Sequence, residues 1–157
     1  MRLKDKVAII TGAARGIGKE AVRKFLEEGA KVAICDIDQA SIDASVAELG
    51  QSGEVLGIKL DVTKADDVAK MVEAVVEKFG KVDILINNAG ITADAQLVKM
   101  SEEQFDRVIA VNLKGVFNCT KEVAPHMIQK GYGKIINTSS VVGIYGNFGQ
   151  TNYVATK

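Results

Sequence analysis

The sequence predicts one α/β domain over residues 1–157, a doubly wound parallel sheet with helices on both faces. Three observations predict it. Short runs that are almost wholly apolar alternate with longer stretches of helical spacing, and strands apolar on both faces belong to parallel sheets covered by helices. No linker, repeat or low-complexity stretch divides the chain. Polar residues suited to chemistry directly follow the apolar runs: Thr11-Gly12, Asp36, Asp61-Val62, Asn87-Asn88-Ala89-Gly90 and Ser139-Ser140. In open α/β sheets ligands bind beyond the carboxyl ends of the strands, which is where these residues would lie.

The strand runs are Val7–Ile10, Lys31–Cys35, Val55–Leu60, Val82–Ile86 and Lys134–Asn137. Right-handed crossovers between them give the doubly wound arrangement. The clearest helical stretch carries Val68, Met71, Val72, Val75, Val76 and Phe79 on one face and stops at Gly80, where a left-handed cap suits glycine. A longer helix is expected from Ser101 to Gln129, opened by the capping box Ser101-Glu102-Glu103-Gln104. Its apolar positions are Phe105, Val108, Ile109, Leu113, Val116 and Phe117, and Pro125 is expected to kink it.

Bulk composition excludes several classes. Apolar residues make up 47% and charged residues 25%, and 20 basic side chains balance 20 acidic ones. No long basic run recommends nucleic acid or an anionic membrane as a partner. The first residues enter a strand without a signal-peptide core, and no apolar run is long enough to span a bilayer. Cys35 and Cys119 sit in apolar contexts without metal-ligand spacing, so they read as reduced core thiols of a cytoplasmic protein and no metal is expected. His126, the single histidine, has no acidic or nucleophilic partner in sequence and reads as structural.

After the first strand comes Gly12-Ala-Ala-Arg15-Gly16-Ile17-Gly18, opening a helix. Glycines there permit a tight turn and close backbone approach to a pyrophosphate, and the helix start offers free N–H groups and a positive dipole end. The spacing is G-x-x-x-G-x-G rather than G-x-G-x-x-G. Asp36 ends the second strand 18 residues after Gly18, followed by Ile37. A carboxylate there accepts from both adenosine ribose hydroxyls and repels a 2′-phosphate. Arg15 pulls the other way, because a guanidinium in this loop pairs with a 2′-phosphate. NAD(H) on Asp36 is the favoured reading, with NADP(H) on Arg15 the alternative.

Near the end stand Ser139-Ser140 and Tyr153-Val-Ala-Thr-Lys157. Tyr and Lys four apart share a helix face. A free phenol titrates near ~10, and a neighbouring ammonium favours its phenolate, which suits proton transfer to a carbonyl oxygen. A serine hydroxyl orients the same oxygen. Taken alone, Tyr-x-x-x-Lys is an ordinary surface pair. Tyr145 provides the contrast, since Gly149 stands four residues on.

The glycine loop, Asn87-Asn88-Ala89-Gly90, Asn112, Ser140 and Tyr153-x-x-x-Lys157 together resemble, in order and spacing, the short-chain dehydrogenase/reductase family with its Rossmann-type NAD(P)-binding fold. The resemblance implies a catalytic tetrad of Asn112, Ser140, Tyr153 and Lys157, with the family spacing to Tyr153 selecting Ser140 over Ser139. It implies that Lys157 also holds the nicotinamide ribose and that Asn112 supports a water chain reprotonating Tyr153. It implies that Asn88, Ala89 and Gly90 line the adenosine side and that Asp61 and Val62 contact adenine. Tyr153, with the residues of the glycine loop, completes the cofactor-binding set.

A narrower resemblance, carried by residues 87–94 and 139–153, is to the 3-oxoacyl-(acyl-carrier-protein) reductases of fatty acid biosynthesis. Ala93 departs from that branch, which often has arginine there, and Asp36 departs toward NADH. The branch implies a carrier-bound 3-oxoacyl substrate, with Lys121, Lys130 and Lys134 as docking candidates, and a homotetramer or homodimer. Family members continue past Tyr-x-x-x-Lys by about a third of their length, so the resemblance implies a fold missing its C-terminal part and a fifth strand with one edge bare. Three functions stay open: 3-oxoacyl thioester reduction, oxidoreduction of another secondary alcohol, polyol, sugar or steroid, and nucleotide binding without turnover.

Overall fold

A computed structural model describes Met1–Lys157. Five parallel strands form one sheet in the order β3-β2-β1-β4-β5: β1 Val7–Thr11, β2 Lys31–Asp36, β3 Val55–Lys59, β4 Ile84–Asn87 and β5 Lys134–Asn137. The order reverses between β1 and β4, the switch point at which such sheets open a crevice. The fold is the Rossmann-type α/β arrangement that the sequence predicts.

Side-chain alternation along each strand builds two cores. Val7, Ile9, Ala33, Cys35 and Leu85 face one side, against Val68, Met71, Val72 and Val75 of α3 (Ala65–Phe79) and Cys119 and Val123 of α5 (Gly115–Lys130). Ala8, Ile10, Val32, Ile34, Ile84 and Ile86 face the other, against Val22 and Leu26 of α1 (Gly16–Glu27) and Ile42 and Leu49 of α2 (Gln39–Leu49). Gly80 caps α3 with φ 79°, as its position after Phe79 predicts.

Strand bounds move by one or two residues. β4 begins at Ile84 rather than Val82, because Asp83 turns its side chain onto the Val7 amide at the foot of the sheet. β1 and β2 each extend one residue, to Thr11 and Asp36, while β3 stops at Lys59.

The expected helix from Ser101 to Gln129 is three segments: α4 (Glu102–Ile109), a π turn over Ala110–Lys114, and α5. The capping box forms in full, with Ser101 Oγ accepting from the Gln104 amide and Gln104 Oε1 accepting from the Ser101 amide. The irregularity lies in the π turn, and the helix continues through Pro125. Phe105, Leu113 and Phe117, expected on the core face, are exposed instead. The buried line is Val108, Asn112, Gly115, Cys119, Val123 and Met127. Short helices α6 (Val142–Tyr145) and α7 (Thr151–Thr156) follow β5, whose four residues are all exposed at the sheet's edge. No helix is long and apolar enough to cross a membrane.

Candidate active site

The loops at the carboxyl ends of the strands converge as predicted, and hydrogen bonds tie them together. Thr11 Oγ1 accepts from the Asn88 and Ala89 amides at 3.1 and 3.0 Å. The Asn88 side chain donates back to the carbonyls of Thr11 and Gly12 at 3.0 and 2.9 Å. The loops after β1 and β4 are therefore one unit. Gly12 takes φ +62°, and a Cβ there would stand 2.8 Å from Ala89 Cα. A Cβ on Gly18 would stand 2.3 Å from the Gly12 carbonyl oxygen. Only glycine fits at either position.

Beside this unit lies a cavity of about 220 Å³, smaller than the ~300–1,000 Å³ of whole-ligand pockets, and so sized for one end of an extended ligand. Nine sequence-predicted residues line it: Gly12, Arg15, Asp36, Ile37, Asp61, Val62, Asn88, Ala89 and Gly90. Cys35, Leu60, Ile91 and Val111 also line it and were not expected to. Each neighbours a predicted residue (Cys35 beside Asp36, Leu60 beside Asp61, Ile91 beside Gly90 and Val111 beside Asn112), so adjacency was the signal available.

Asp36 is nearly buried on the cavity wall. Its Oδ2 accepts from the Ala14 amide at 3.1 Å and its Oδ1 from the Ile37 amide at 2.8 Å. The carboxylate thus fixes the glycine loop while keeping free lone pairs. Gly16, Ile17 and Gly18 form the start of α1 outside the cavity lining, and Ile17 is 81% exposed. That helix start has no side-chain cap, so its first N–H groups are available to an anion. Glycines that only backbone can approach, an uncapped helix start and a strand-end carboxylate fit a dinucleotide.

Asn112 is buried in the π turn. Its Oδ1 accepts from the Ile91 amide, and its Nδ2 donates to the Ile91 carbonyl, both at 2.9 Å, and to Thr156 Oγ1 at 3.2 Å. One side chain thereby joins the loop after β4 to α7. Tyr153 and Lys157 lie on one side of α7, with Lys157 Nζ 5.7 Å from the Tyr153 ring centroid. Lys157 Nζ donates to the Thr138 carbonyl at 2.8 Å, and burial holds its pKa below the ordinary lysine value. A Cβ built on Gly90 would come within 3.6 Å of that nitrogen, so lysine and cavity rim are neighbours.

β5 ends at Asn137, so Ser139 and Ser140 lie in a loop and strand alternation does not sort them. Ser139 Oγ donates to a main-chain oxygen of Lys157 at 2.9 Å, whereas Ser140 Oγ accepts a long 3.4 Å bond from the Val142 amide. Ser140 is the freer hydroxyl. Of the lysines expected as docking candidates, Lys130 is bound to Asp83 and the Val82 carbonyl, and Lys134 opens β5. Both lie at the amino ends of the strands, remote from the cavity.

A profile described as short chain dehydrogenase matches residues 6–157. A 3-oxoacyl-(acyl-carrier-protein) reductase of Thermotoga maritima is 55% identical over 158 residues, covering 100% of this chain and 64% of that protein. A protein of the same name from Staphylococcus epidermidis is 47% identical, covering 98% of this chain and 64% of its own length. An uncharacterized oxidoreductase of Mycobacterium bovis is 44% identical, covering 99% and 63% respectively. The chain thus spans less than two thirds of the length of these relatives.

Proposed function

This chain belongs to the short-chain dehydrogenase family, and from that premise we propose that it carries the cofactor site and reacting groups of an NAD(P)-dependent oxidoreductase acting on 3-oxoacyl thioesters. The observation that carries the reading is Gly90 on the cavity rim with Asn112 and Lys157 against it, and Tyr153 beside Lys157. The 55% identity to a reductase of that name supports the substrate class.

A nicotinamide held by these residues would supply the hydride for the carbonyl carbon. Tyr153 donates the proton that the carbonyl oxygen takes up, and C=O becomes CH–OH. Ser140 holds that oxygen by a hydrogen bond. Lys157 favours the phenolate left behind and binds the nicotinamide ribose. Asn112, held by its bonds to Ile91 and Thr156, supports the water chain that reprotonates Tyr153. Gly12, Gly16, Ile17 and Gly18 present backbone to the pyrophosphate, while Asp61, Val62, Asn88, Ala89 and Gly90 wall the adenosine. Asp36 takes the ribose hydroxyls and favours NADH; Arg15 is the counterweight toward NADPH.

The substrate is a thioester borne on an acyl carrier protein, with Lys121 the remaining docking lysine. The exposed Leu113 and Phe117 support assembly into a homodimer or homotetramer, and the buried reduced thiols support a cytoplasmic setting. The test is absorbance of NADH, and separately NADPH, with an acetoacetyl thioester, comparing the parent with Tyr153→Phe. Turnover by the parent and its loss in Tyr153→Phe with nucleotide binding intact is the expected result. Equal rates in both would overturn the acid role of Tyr153.

A further inference from the structure

Asn152 is 0% exposed, and every bonding group of its side chain is used. Its Nδ2 donates to the carbonyls of Ala93 and Gln104, each at 3.0 Å. Its Oδ1 accepts from the Tyr153 amide at 2.8 Å. The partners fix the amide's orientation, because a flip would set its oxygen against two carbonyls and its NH2 against an N–H. A buried amide costs free energy unless fully bonded, so an apolar side chain would fill this space more simply if filling were all it did.

The position explains its use. Gln150 caps α7 without a side-chain bond, and first-turn N–H groups have no partner within a helix. Asn152 takes one of those N–H groups, that of Tyr153, and carries the load to two other elements: the loop after β4 at Ala93 and α4 at Gln104. The same loop is stitched to the approach to α7 by the Ala95 amide on the Gly149 carbonyl at 2.9 Å and by Gln150 on Asp94 at 3.0 Å. Four residues on, Thr156 accepts from Asn112 and donates to the Tyr153 carbonyl. Residues 152 and 156 therefore form one row along α7, and 153 and 157 the next row, about 100° round the helix. One row is bolted to the domain and its neighbour carries the phenol and the ammonium.

We propose that Asn152 is a positioning residue for Tyr153: it touches neither substrate nor cofactor, and it sets the phenol's station beside Lys157 and the cavity rim through Ala93 and Gln104. The inference rests on the proposed acid role of Tyr153 for its functional meaning, and its geometric content can be tested separately.

The test uses Asn152→Ala and Asn152→Asp on the 157-residue chain, with folding checked by circular dichroism. Asn152→Asp keeps the shape and the acceptor for the Tyr153 amide but loses both donors, so it stands in if Asn152→Ala does not fold. The direct readout is the nuclear Overhauser contact between the Tyr153 ring and the Lys157 methylenes, with the ring signals identified by their absence in Tyr153→Phe. Loss of that contact in a folded variant is expected, and its retention at parental strength overturns the proposal. The functional readout is the split between kcat and nucleotide affinity. A misplacement on the order of 1 Å costs about 100-fold in rate, so kcat is expected to fall by roughly that factor with NADH binding unchanged. An unchanged kcat in a folded Asn152→Asp protein overturns it as well. If the parent is no faster than Tyr153→Phe, the acid role fails, and the Overhauser contact alone decides the positioning claim.

Discussion

Asp83 and Lys130 lie 47 residues apart and meet beneath the sheet, where the Lys130 ammonium and the Val7 amide share one carboxylate. Lys130 also donates to the Val82 carbonyl at 2.7 Å. The end of α5 is thereby fastened to β4 and β1 at their amino ends. Burial alone would raise the pKa of Asp83, but the bonds from Lys130, the Val7 amide and Lys81 outweigh it and hold the carboxyl below its ordinary value. A carboxyl depressed in the native state stabilises above its unfolded pKa, about 3.9, and loses that contribution as pH falls through the native value. Asp83→Asn is expected to cost about 2–4 kcal/mol at neutral pH. Urea midpoints from pH 7 downward should fall below about pH 4 in the parent and fall less in the variant. Parallel curves would remove Asp83 from the acid limb.

Gly16 and Gly18 separate two reasons for glycine in one loop. Gly16 has φ +56° and nothing within 4 Å of a built Cβ; alanine there meets only left-handed strain of about 1–2 kcal/mol. At Gly18 a Cβ meets backbone and the Asn88 amide at 2.3–2.7 Å, and neither the turn nor the loop after β4 can yield alone. Gly18→Ala is expected to abolish ADP-ribose binding measured calorimetrically, while Gly16→Ala retains it with a modest fall in thermal midpoint. Similar affinities for the two variants would show that the loop adjusts.

How far the sequence could be read depended on whether a pattern obeyed one period. Strands and the α3 stripe did: Val68, Met71, Val72 and Val75 are all buried as their spacing predicts. The stretch after Ser101 did not: Phe105, Leu113 and Phe117, apolar positions of the expected single helix, are exposed. From Val108 to Met127 the buried line takes five steps over 19 residues, where an α-helix takes about 18. The surplus falls within α5, where Gly115, Cys119, Val123 and Met127 follow at steps of four, while the π turn carries Asn112 inward onto Ile91. Nothing local in Ala110–Lys114 announces it; the turn answers the backbone of Ile91, in the loop after β4, 21 positions earlier. The glycine loop, Asp36 and Tyr153-x-x-x-Lys157 were legible as candidates because residue type at fixed local spacing marks them in the sequence. Asn152 was not, since its partners at Ala93 and Gln104 are backbone carbonyls that carry no sequence signal.

Asp36 carries two tasks that substitution should separate. It bonds the Ala14 and Ile37 amides of this structure, and it is proposed to take the ribose hydroxyls. Asp36→Ala is expected to weaken ADP-ribose binding by about 10–100-fold, the worth of one or two hydrogen bonds to a charged acceptor. Binding of 2′-phospho-ADP-ribose should strengthen relative to it, and Arg15→Ala should reverse that gain. A uniform loss for both ligands would assign Asp36 to the loop alone.

The thiols give a test of how the cavity opens. Cys35 lines the cavity yet is fully buried, and burial, with the nearby Cys119 and Asp36, pushes its pKa well above the ordinary range. Burial likewise pushes Cys119 up to about 12. The thiolate is the reacting form, so neither cysteine should react with a disulfide reagent at pH 8 in the native state, and both should react in guanidinium. Slow native labelling then requires an opening. A nucleotide at 100 times its Kd stabilises the folded state by about 2.7 kcal/mol. If labelling proceeds by global unfolding, the nucleotide slows Cys35 and Cys119 alike, by roughly 100-fold. If the wall of the cavity opens locally, Cys35 is protected and Cys119 is not, because Cys119 sits on α5 in the core beneath the sheet face and away from the cavity lining. Mass spectrometry of each site distinguishes the two, and the cooperative packing of both residues in one core predicts equal protection.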